Sequence, residues 1–395
     1  MKIALMTNNY KPFMGGVPIS IERLKKGLEA MGHQVTVFAP TYEEQAQEDN
    51  VFRYATCMKK FVGGIVLPNP FDRRIEAEFK KHNFDIIHVH HPMLIGRTAV
   101  YLSRKYGVPL TFTYHTRYEQ YLGYYTKWKL IEKLAPLYLH TFLRHCHFIF
   151  APTQGMKDYL TENCKVYPER IGILPTGIEA SNFQVEEEKI LEIRQKYQAE
   201  NIPLLLTVSR MAQEKNIEFL LKSLALLKKR YGKLFRMLMV GDGDDRAAYE
   251  RMSEELGLEQ EICFTGKIPN QEIAPYFAAA DVFCFASKTE TQGIVILEAF
   301  AGKTPVIAVE ASGVKDLVKS GLNGILTEEN PEQFAGELYL LLQTEQIRER
   351  MAKSAFLTAL SYREESVALQ AVQYYNNVIN AAEGKEETWK INTVF

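Results

Sequence analysis

The sequence predicts an α/β protein built from two domains, each a doubly wound parallel sheet. Three observations lead there. Short apolar runs alternate with amphipathic helical stretches along nearly the whole chain, the pattern of parallel sheets covered on both faces. The 395 residues suffice for two domains, each with a substantial core. Near the middle, Pro175-Thr176-Gly177-Ile178-Glu179 precedes a polar, Glu-rich segment at 184–201 and marks the expected hinge. The first domain is therefore expected over 1–177 and the second over 178–363. A long last helix follows at 364–383, then a polar, frayed tail at 384–395.

The elements follow in order. Residues 2–7 form an apolar run too short for a signal peptide, and they predict a first buried strand. A turn holding Gly15 and Gly16 then leads into an amphipathic helix over 17–32. Further strands are expected at 34–39, 85–89, 109–114 and 147–151, with helices at 70–81, 93–106 and 155–163. In the second half, strands at 203–209, 235–240, 261–265, 281–285 and 304–309 alternate with helices at 216–231, 244–256, 270–279 and 331–343. The run Ala280 to Phe285 is short and apolar, as a buried strand should be. A helix opens after Gly293 and runs to Ala301.

Composition narrows the class of function. Apolar residues make up 46% and charged residues 24%, the values of an ordinary soluble globular protein. No run approaches the ~18–20 apolar residues of a transmembrane helix. The five cysteines, at 57, 146, 164, 263 and 284, are scattered without a CxxC pair. That argues against a disulfide framework and against a structural zinc site, and it fits a reducing cytoplasm. The net charge of −1 conceals an asymmetry. Residues 1–175 carry 23 Lys and Arg against 15 Asp and Glu, and the remainder carry 24 against 33. A basic first half can attract anionic lipid or nucleic acid, and the acidic second half would be repelled from either. No nucleic-acid partner is expected.

The segment 286–300 is the richest in chemistry. Glu290 and Glu298 stand eight positions apart around Gly293, at a strand-to-helix loop of the kind that binds ligands at the carboxyl end of a parallel sheet. Gly293 lets the backbone approach a ligand, and the first amides of the following helix can bind phosphate oxygens. Two carboxylates flanking such a turn suit a ligand that is both phosphorylated and rich in hydroxyls, a nucleotide sugar. Read alone, the same pair is common on a solvated helix. Upstream, Arg210 and Lys215 lie in the loop after another strand, where two cations can neutralise a diphosphate and stabilise its departure. They also read as two surface cations. No DxD and no cluster of ligand residues accompanies them, which favours a metal-independent reaction. Val240-Gly241-Asp242-Gly243 and Phe264-Thr265-Gly266-Lys267 end two more strands and suit a nucleoside-binding rim, although each is equally an ordinary turn.

In the first half, Gly15-Gly16 can set amides against a phosphate or form a plain turn, and it is not the GxGxxG dinucleotide fingerprint. His88, His90 and His91 close one strand and His115 the next, where a histidine can donate to a sugar hydroxyl or a carbonyl. Alternation of side chains along a strand speaks against zinc at the first three. Farther on, Lys127, Trp128, Lys129, Lys133 and Arg144 belong to a segment with a basic stripe and an apolar face. It reads either as an interfacial helix on anionic lipid or as a core-packed helix with a wet face. Pro136 kinks it or marks a start.

With these residues in order, the chain resembles the family-4 retaining glycosyltransferases over essentially 1–383. The resemblance is carried by the Gly-Gly turn at 15–16, His115, Pro-Thr-Gly-Ile at 175–178, Arg210 with Lys215, and the E-x7-E pair Glu290 and Glu298. It implies the GT-B fold, two facing Rossmann-like domains around an inter-domain cleft, with the last helix crossing back onto the first domain. It implies that the first domain takes the acceptor and the second the nucleotide sugar. Gly15 and Gly16 would approach phosphate or donor sugar, as would Thr291, Gln292 and the amides of Gly293, Ile294 and Val295. Arg210 and Lys215 would hold the diphosphate, Glu290 the sugar hydroxyls and Glu298 the ribose. Gly241, Lys267 and Ile268 would line the base, and His115 would meet the sugar from the first domain. No cofactor or metal is implied. Within the family, Tyr114 to Tyr121 and Ser287 to Gly293 look most like bacterial diacylglycerol α-glucosyltransferases. Those are monotopic enzymes at the inner face of the cytoplasmic membrane, which use UDP-glucose. The rival expectations are a family-4 transferase with a soluble or polyprenyl-linked acceptor, and a non-catalytic sugar-nucleotide-binding protein. The donor's base and sugar, the acceptor, the number of sugars added and the oligomeric state are not legible in the sequence.

Overall fold

The computed structural model describes residues 1–13, 15–58, 66–117, 129–232 and 235–384, with backbone alone for 129–135. The chain divides into two compact units. One holds Met1–Gly177 together with the segment from Glu364 onward, and the other holds Ile178–Arg363.

In the first unit the described strands are β1 (Lys2–Met6), β2 (Gln34–Pro40), β3 (Val51–Tyr54), β4 (Thr56–Met58), β5 (Leu67–Pro68), β6 (Ile86–Val89), β7 (Leu110–Thr113), β8 (Phe148–Ala151) and β9 (Ile171–Ile173). Seven of them form one parallel sheet in the order β3-β2-β1-β6-β7-β8-β9, and β4 pairs antiparallel with β5. The strands are continuous apolar runs because both sheet faces are covered. Along β1, Ile3 and Leu5 enter the core on one face, while Ala4 and Met6 enter the core on the other. The helix Glu364–Ala382 closes the first of these cores with Val367, Ala368, Ala371, Tyr374, Tyr375 and Val378, and it packs beside the helix Gly16–Ala30.

The second unit repeats the logic with β10 (Leu204–Val208), β11 (Arg236–Val240), β12 (Ile262–Gly266), β13 (Val282–Phe285), β14 (Val306–Val309) and β15 (Gly324–Thr327). They form a six-stranded parallel sheet in the order β12-β11-β10-β13-β14-β15. Leu204 and Leu206 pack on one face of it and Leu205 on the other. In both sheets the strand order reverses direction beside the unit's first strand, between β1 and β6 and between β10 and β13. Loops leaving two neighbouring strands toward opposite faces open a crevice at such a point, and ligands of α/β proteins bind there.

The expected strands and helices are present with small shifts at their ends. Helix 70–81 is observed as Arg73–His82, started by Asp72, whose carboxylate accepts from the Arg74 amide. The expected helix at 270–279 is a short 3₁₀ turn followed by Ala274–Ala279. Elements not anticipated are the short strands β3, β4, β5, β9 and β15 and the helices Glu187–Lys196, Ser312–Leu317 and Glu345–Ser361.

Candidate active site

In the second unit the switch point between β10 and β13 gathers the predicted residues. The loop after β10 carries Arg210 and then a short 3₁₀ turn over Gln213–Lys215. The loop after β13 carries Ser287 to Gly293. Across that crevice Lys215 Nζ meets Glu290 Oε1 at 2.5 Å, and Ser287 Oγ donates to the same oxygen at 2.7 Å. Both members of the ion pair are largely buried, each side chain 18% exposed. Burial alone would raise the Glu290 carboxyl. The Lys215 charge, its hydrogen bond and that of Ser287 outweigh burial and hold the group below the ordinary glutamate range. Arg210 is bridged by the buried carboxylate of Glu214, one helical turn on. Each cation is thus held in place by its own carboxylate.

Gly293 caps the helix Ile294–Ala301 with φ +80°, a conformation that disfavours any residue with a Cβ. The amides of Ile294 and Val295, first in that helix, have no acceptor within it and form the positive end of its dipole. The preceding loop is clamped from behind: the Gly313 amide donates to the Glu290 carbonyl at 3.1 Å, and a Cβ at Gly313 would stand 2.7 Å from that oxygen. Gln292 is buried and Thr291 half-buried beside it. Glu298 sits in the second turn of the helix and is buried. A second brace joins the same loops, since Glu329 takes both Lys288 and the Asn216 amide nitrogen.

The neighbouring strand ends are tied together. Ser209 donates its amide to the Val240 carbonyl, Met211 to Asp242, and Gly241 to Gly266. Gly241 is therefore fixed beside the Arg210 loop, while Lys267 is exposed and Ile268 half-buried after β12. The switch point thus gathers two cations, two carboxylates and a helix start, groups that suit an anion rich in hydroxyls. Among the described residues no three His, Cys, Asp or Glu side chains converge as metal ligands.

In the first unit the switch point lies between β1 and β6. The Asn8 amide donates to His91 Nδ1 at 3.1 Å, the Asn8 side chain donates to the Met93 carbonyl, and its oxygen accepts from the Ile95 amide. Gly15 precedes the helix opened by Gly16 in extended backbone, without a side-chain cap. The histidines are not a ligand set. His88 is pinned between Tyr375 Oη and Thr113 Oγ1, each at 2.6 Å, and burial drives its pKa down to about 3. Burial likewise lowers His91 to about 4. His90 Nδ1 lies 2.9 Å from His115 Nε2, at the end of β7. His115 thus sits in a histidine array that the separate motifs did not announce.

Of the basic segment, Lys127 and Trp128 lie outside the described residues, as do the side chains of Lys129 and Lys133. The helix Lys129–His145 buries Leu139, Phe142 and Leu143 in the core and exposes Leu137, His140 and Arg144. It therefore packs on one face and leaves the other wet. Among the described residues no helix is long and apolar enough to cross a membrane.

Sequence reasoning gave no role to Glu214, Gly313 or Glu329, nor to Ser287 beyond its place in the stretch Ser287 to Gly293. They carry no motif of their own and matter only through their contacts.

Comparison with known proteins identifies the family and the fold. Residues 14–182 match the family described as Glycosyltransferase Family 4, and residues 189–357 match Glycosyl transferases group 1. The chain is 32% identical over 334 residues to the alpha-monoglucosyldiacylglycerol synthase of Streptococcus pneumoniae, covering 82% of this chain and 75% of that one. It is 27% identical over 401 residues to the enzyme of the same name from Acholeplasma laidlawii, covering 96% and 98%. Among solved structures it superposes on a sucrose-phosphate synthase from Thermosynechococcus elongatus with a TM-score of 0.81 at 21% identity, over 96% of this chain and 99% of that one. On HepE from Anabaena in complex with UDP the TM-score is 0.76 at 18% identity, over 95% and 100%. With both domain families matched in order and a relative of this closeness across most of its length, the chain belongs to the family-4 glycosyltransferases of GT-B fold.

Proposed function

We propose that this protein is a metal-independent, retaining glycosyltransferase that moves glucose from UDP-glucose onto a membrane lipid such as diacylglycerol. The observation that carries the reading is the Lys215–Glu290 pair at the second unit's switch point, beside Arg210 and the Gly293 helix start. Lys215 and Arg210 neutralise the diphosphate and stabilise the negative charge that grows on it as the glycosidic bond breaks. The amides at 294–295 add the helix dipole to the same oxygens. Glu290, kept ionised, accepts from hydroxyls of the donor sugar, and Glu298 from the ribose. Gly241, Lys267 and Ile268 line the base, and His115 hydrogen-bonds the sugar from the first unit. The leaving phosphate serves as base for the incoming acceptor hydroxyl on the same face, so no side chain becomes a covalent nucleophile.

The names of the two glucosyldiacylglycerol synthases support the lipid acceptor, and the HepE structures with UDP and glucose support the donor class within this fold. Other relatives are named as D-inositol 3-phosphate glycosyltransferases, which makes a soluble acceptor the competing outcome. The protein works at the inner face of the cytoplasmic membrane, held by the basic residues Lys127, Lys129, Lys133 and Arg144.

The test is transfer of labelled glucose, galactose and mannose from their UDP and GDP donors, to diacylglycerol in mixed micelles or to soluble polyols, with and without EDTA. Labelled lipid from UDP-glucose alone, untouched by EDTA, is the expected result. Transfer only to soluble acceptors, or loss of activity with EDTA and rescue by magnesium, would overturn the corresponding part of the proposal.

A further inference from the structure

The first unit holds a small pocket with about 10 Å³ of interior room, lined by Arg23, His90, Thr113, Thr176 and Glu364 among others. That is about the room one water requires. His90 is 1% exposed, and its Nε2 is buried without a hydrogen-bond partner, while its Nδ1 faces His115 Nε2 at 2.9 Å. Its ring stacks on His88 at 4.3 Å between centroids, and His88 is itself fixed at both nitrogens, so His90 has little freedom to turn.

We propose that an ordered water fills this cavity and donates to His90 Nε2, and that His90 is the positioning residue that sets the ring tautomer of His115. The inference rests on the reading of His115 as a group that meets the donor sugar. The proposed arrangement has the water accept from Arg23 and donate to two acceptors, the alternative being a His90 Nε2–H that donates to the water's second lone pair. Arg23 offers only donors, so the water turns its lone pairs toward the guanidinium. Its hydrogens then go to acceptors, the Glu364 carboxylate and His90 Nε2. An accepting Nε2 leaves the His90 proton on Nδ1, which donates to His115 Nε2. His115 must then carry its own proton on Nδ1 and offer that N–H as a donor. Burial, followed by the neighbouring histidines, keeps both rings well below the ordinary histidine range, so each holds a single ring proton at neutral pH.

The experiment uses the full chain labelled with ¹⁵N-histidine, in which long-range proton–nitrogen correlations report which ring nitrogen bears hydrogen. The expected result is Nδ1–H at both His90 and His115. Nε2–H at His115 would overturn the relay, as would a high-resolution crystal structure without ordered density in the cavity. His90→Asn keeps an amide where Nδ1 was and should preserve the His115 tautomer, whereas His90→Gln moves the amide toward the cavity and should release it. In transfer assays H90Q then raises the KM for donor about tenfold, the effect of one misdirected hydrogen bond, while H90N stays near wild type. An H90Q protein with an unchanged His115 tautomer refutes the proposal. A wild-type protein that transfers no sugar refutes the role of His115 instead, and the tautomer measurement still decides the relay.

Discussion

Replacing Lys215 by Ala strands the Glu290 carboxylate in a largely buried site. Breaking a buried ion pair by removing one partner costs about 3–5 kcal/mol. Each side chain here keeps 18% exposure and Ser287 still donates to Glu290, so a loss of about 2–3 kcal/mol is expected. For a unit of this size that lowers the calorimetric transition by ~4–12 °C. The second unit's transition should therefore be followed in wild type, K215A, E290Q and the double variant. The double variant should recover about 2 kcal/mol of the summed single losses, since both charges leave together. The pH dependence has a definite sign. The Glu290 carboxyl sits below its usual value of 4.5 in the folded unit, so the pair's contribution is complete above that value and fades as pH falls through the folded pKa. The gap between wild type and K215A should then narrow as pH falls below 4.5 and close once pH is below the folded pKa of Glu290. A K215A protein within about 0.5 kcal/mol of wild type at pH 7, or an additive cycle, would refute the pairing.

Gly313→Ala should leave the fold intact but weaken UDP-glucose binding about tenfold by calorimetric titration, because the new methyl displaces the backbone of Glu290 and Thr291. Unchanged affinity would remove Gly313 as the clamp. Tyr375→Phe deletes the partner of His88 Nδ1 in a fully buried site and should cost ~1–3 kcal/mol in urea unfolding. The basic residues of the segment 127–144 should make the protein sediment with anionic vesicles, with each Lys or Arg contributing ~1 kcal/mol. High salt should release it. Changing Lys129, Lys133 and Arg144 together to Glu should abolish sedimentation, whereas equal binding to neutral vesicles would assign the helix to packing alone.

The central strands were legible because each is an apolar run buried on both faces, which composition alone reveals. Edge strands were not: β3 and β9 are three or four residues long and lie at the sheet margins. The helix Glu345–Ser361 buries only Met351, Ala355 and Ala359, too thin a stripe to stand out from its polar neighbours. At the site, Arg210, Lys215, Glu290, Gly293 and Glu298 could be read from motifs because each follows a recognisable strand. That Lys215 and Glu290 touch across 75 positions is a property of the strand order, with β13 laid beside β10, and no local pattern encodes it. The His90–His115 contact arises in the same way, from β6 and β7 lying in register.

The assignment of the helix Glu364–Ala382 to the first unit has a consequence for synthesis on the ribosome. A whole unit, Ile178–Arg363, is inserted between Gly177 and the helix that completes the core around β1. The second unit emerges with all of its strands and can fold as soon as Arg363 clears the exit tunnel. The first unit, although translated earlier, must wait with one sheet face only partly covered by the helix Gly16–Ala30, lacking Val367, Tyr374, Tyr375 and Val378. Each such side chain withheld from burial forgoes about 1.5–3 kcal/mol. The order of maturation is thus the reverse of the order of translation, and a chain cut short at 363 would release a finished second unit tethered to a first unit that is a client for chaperones.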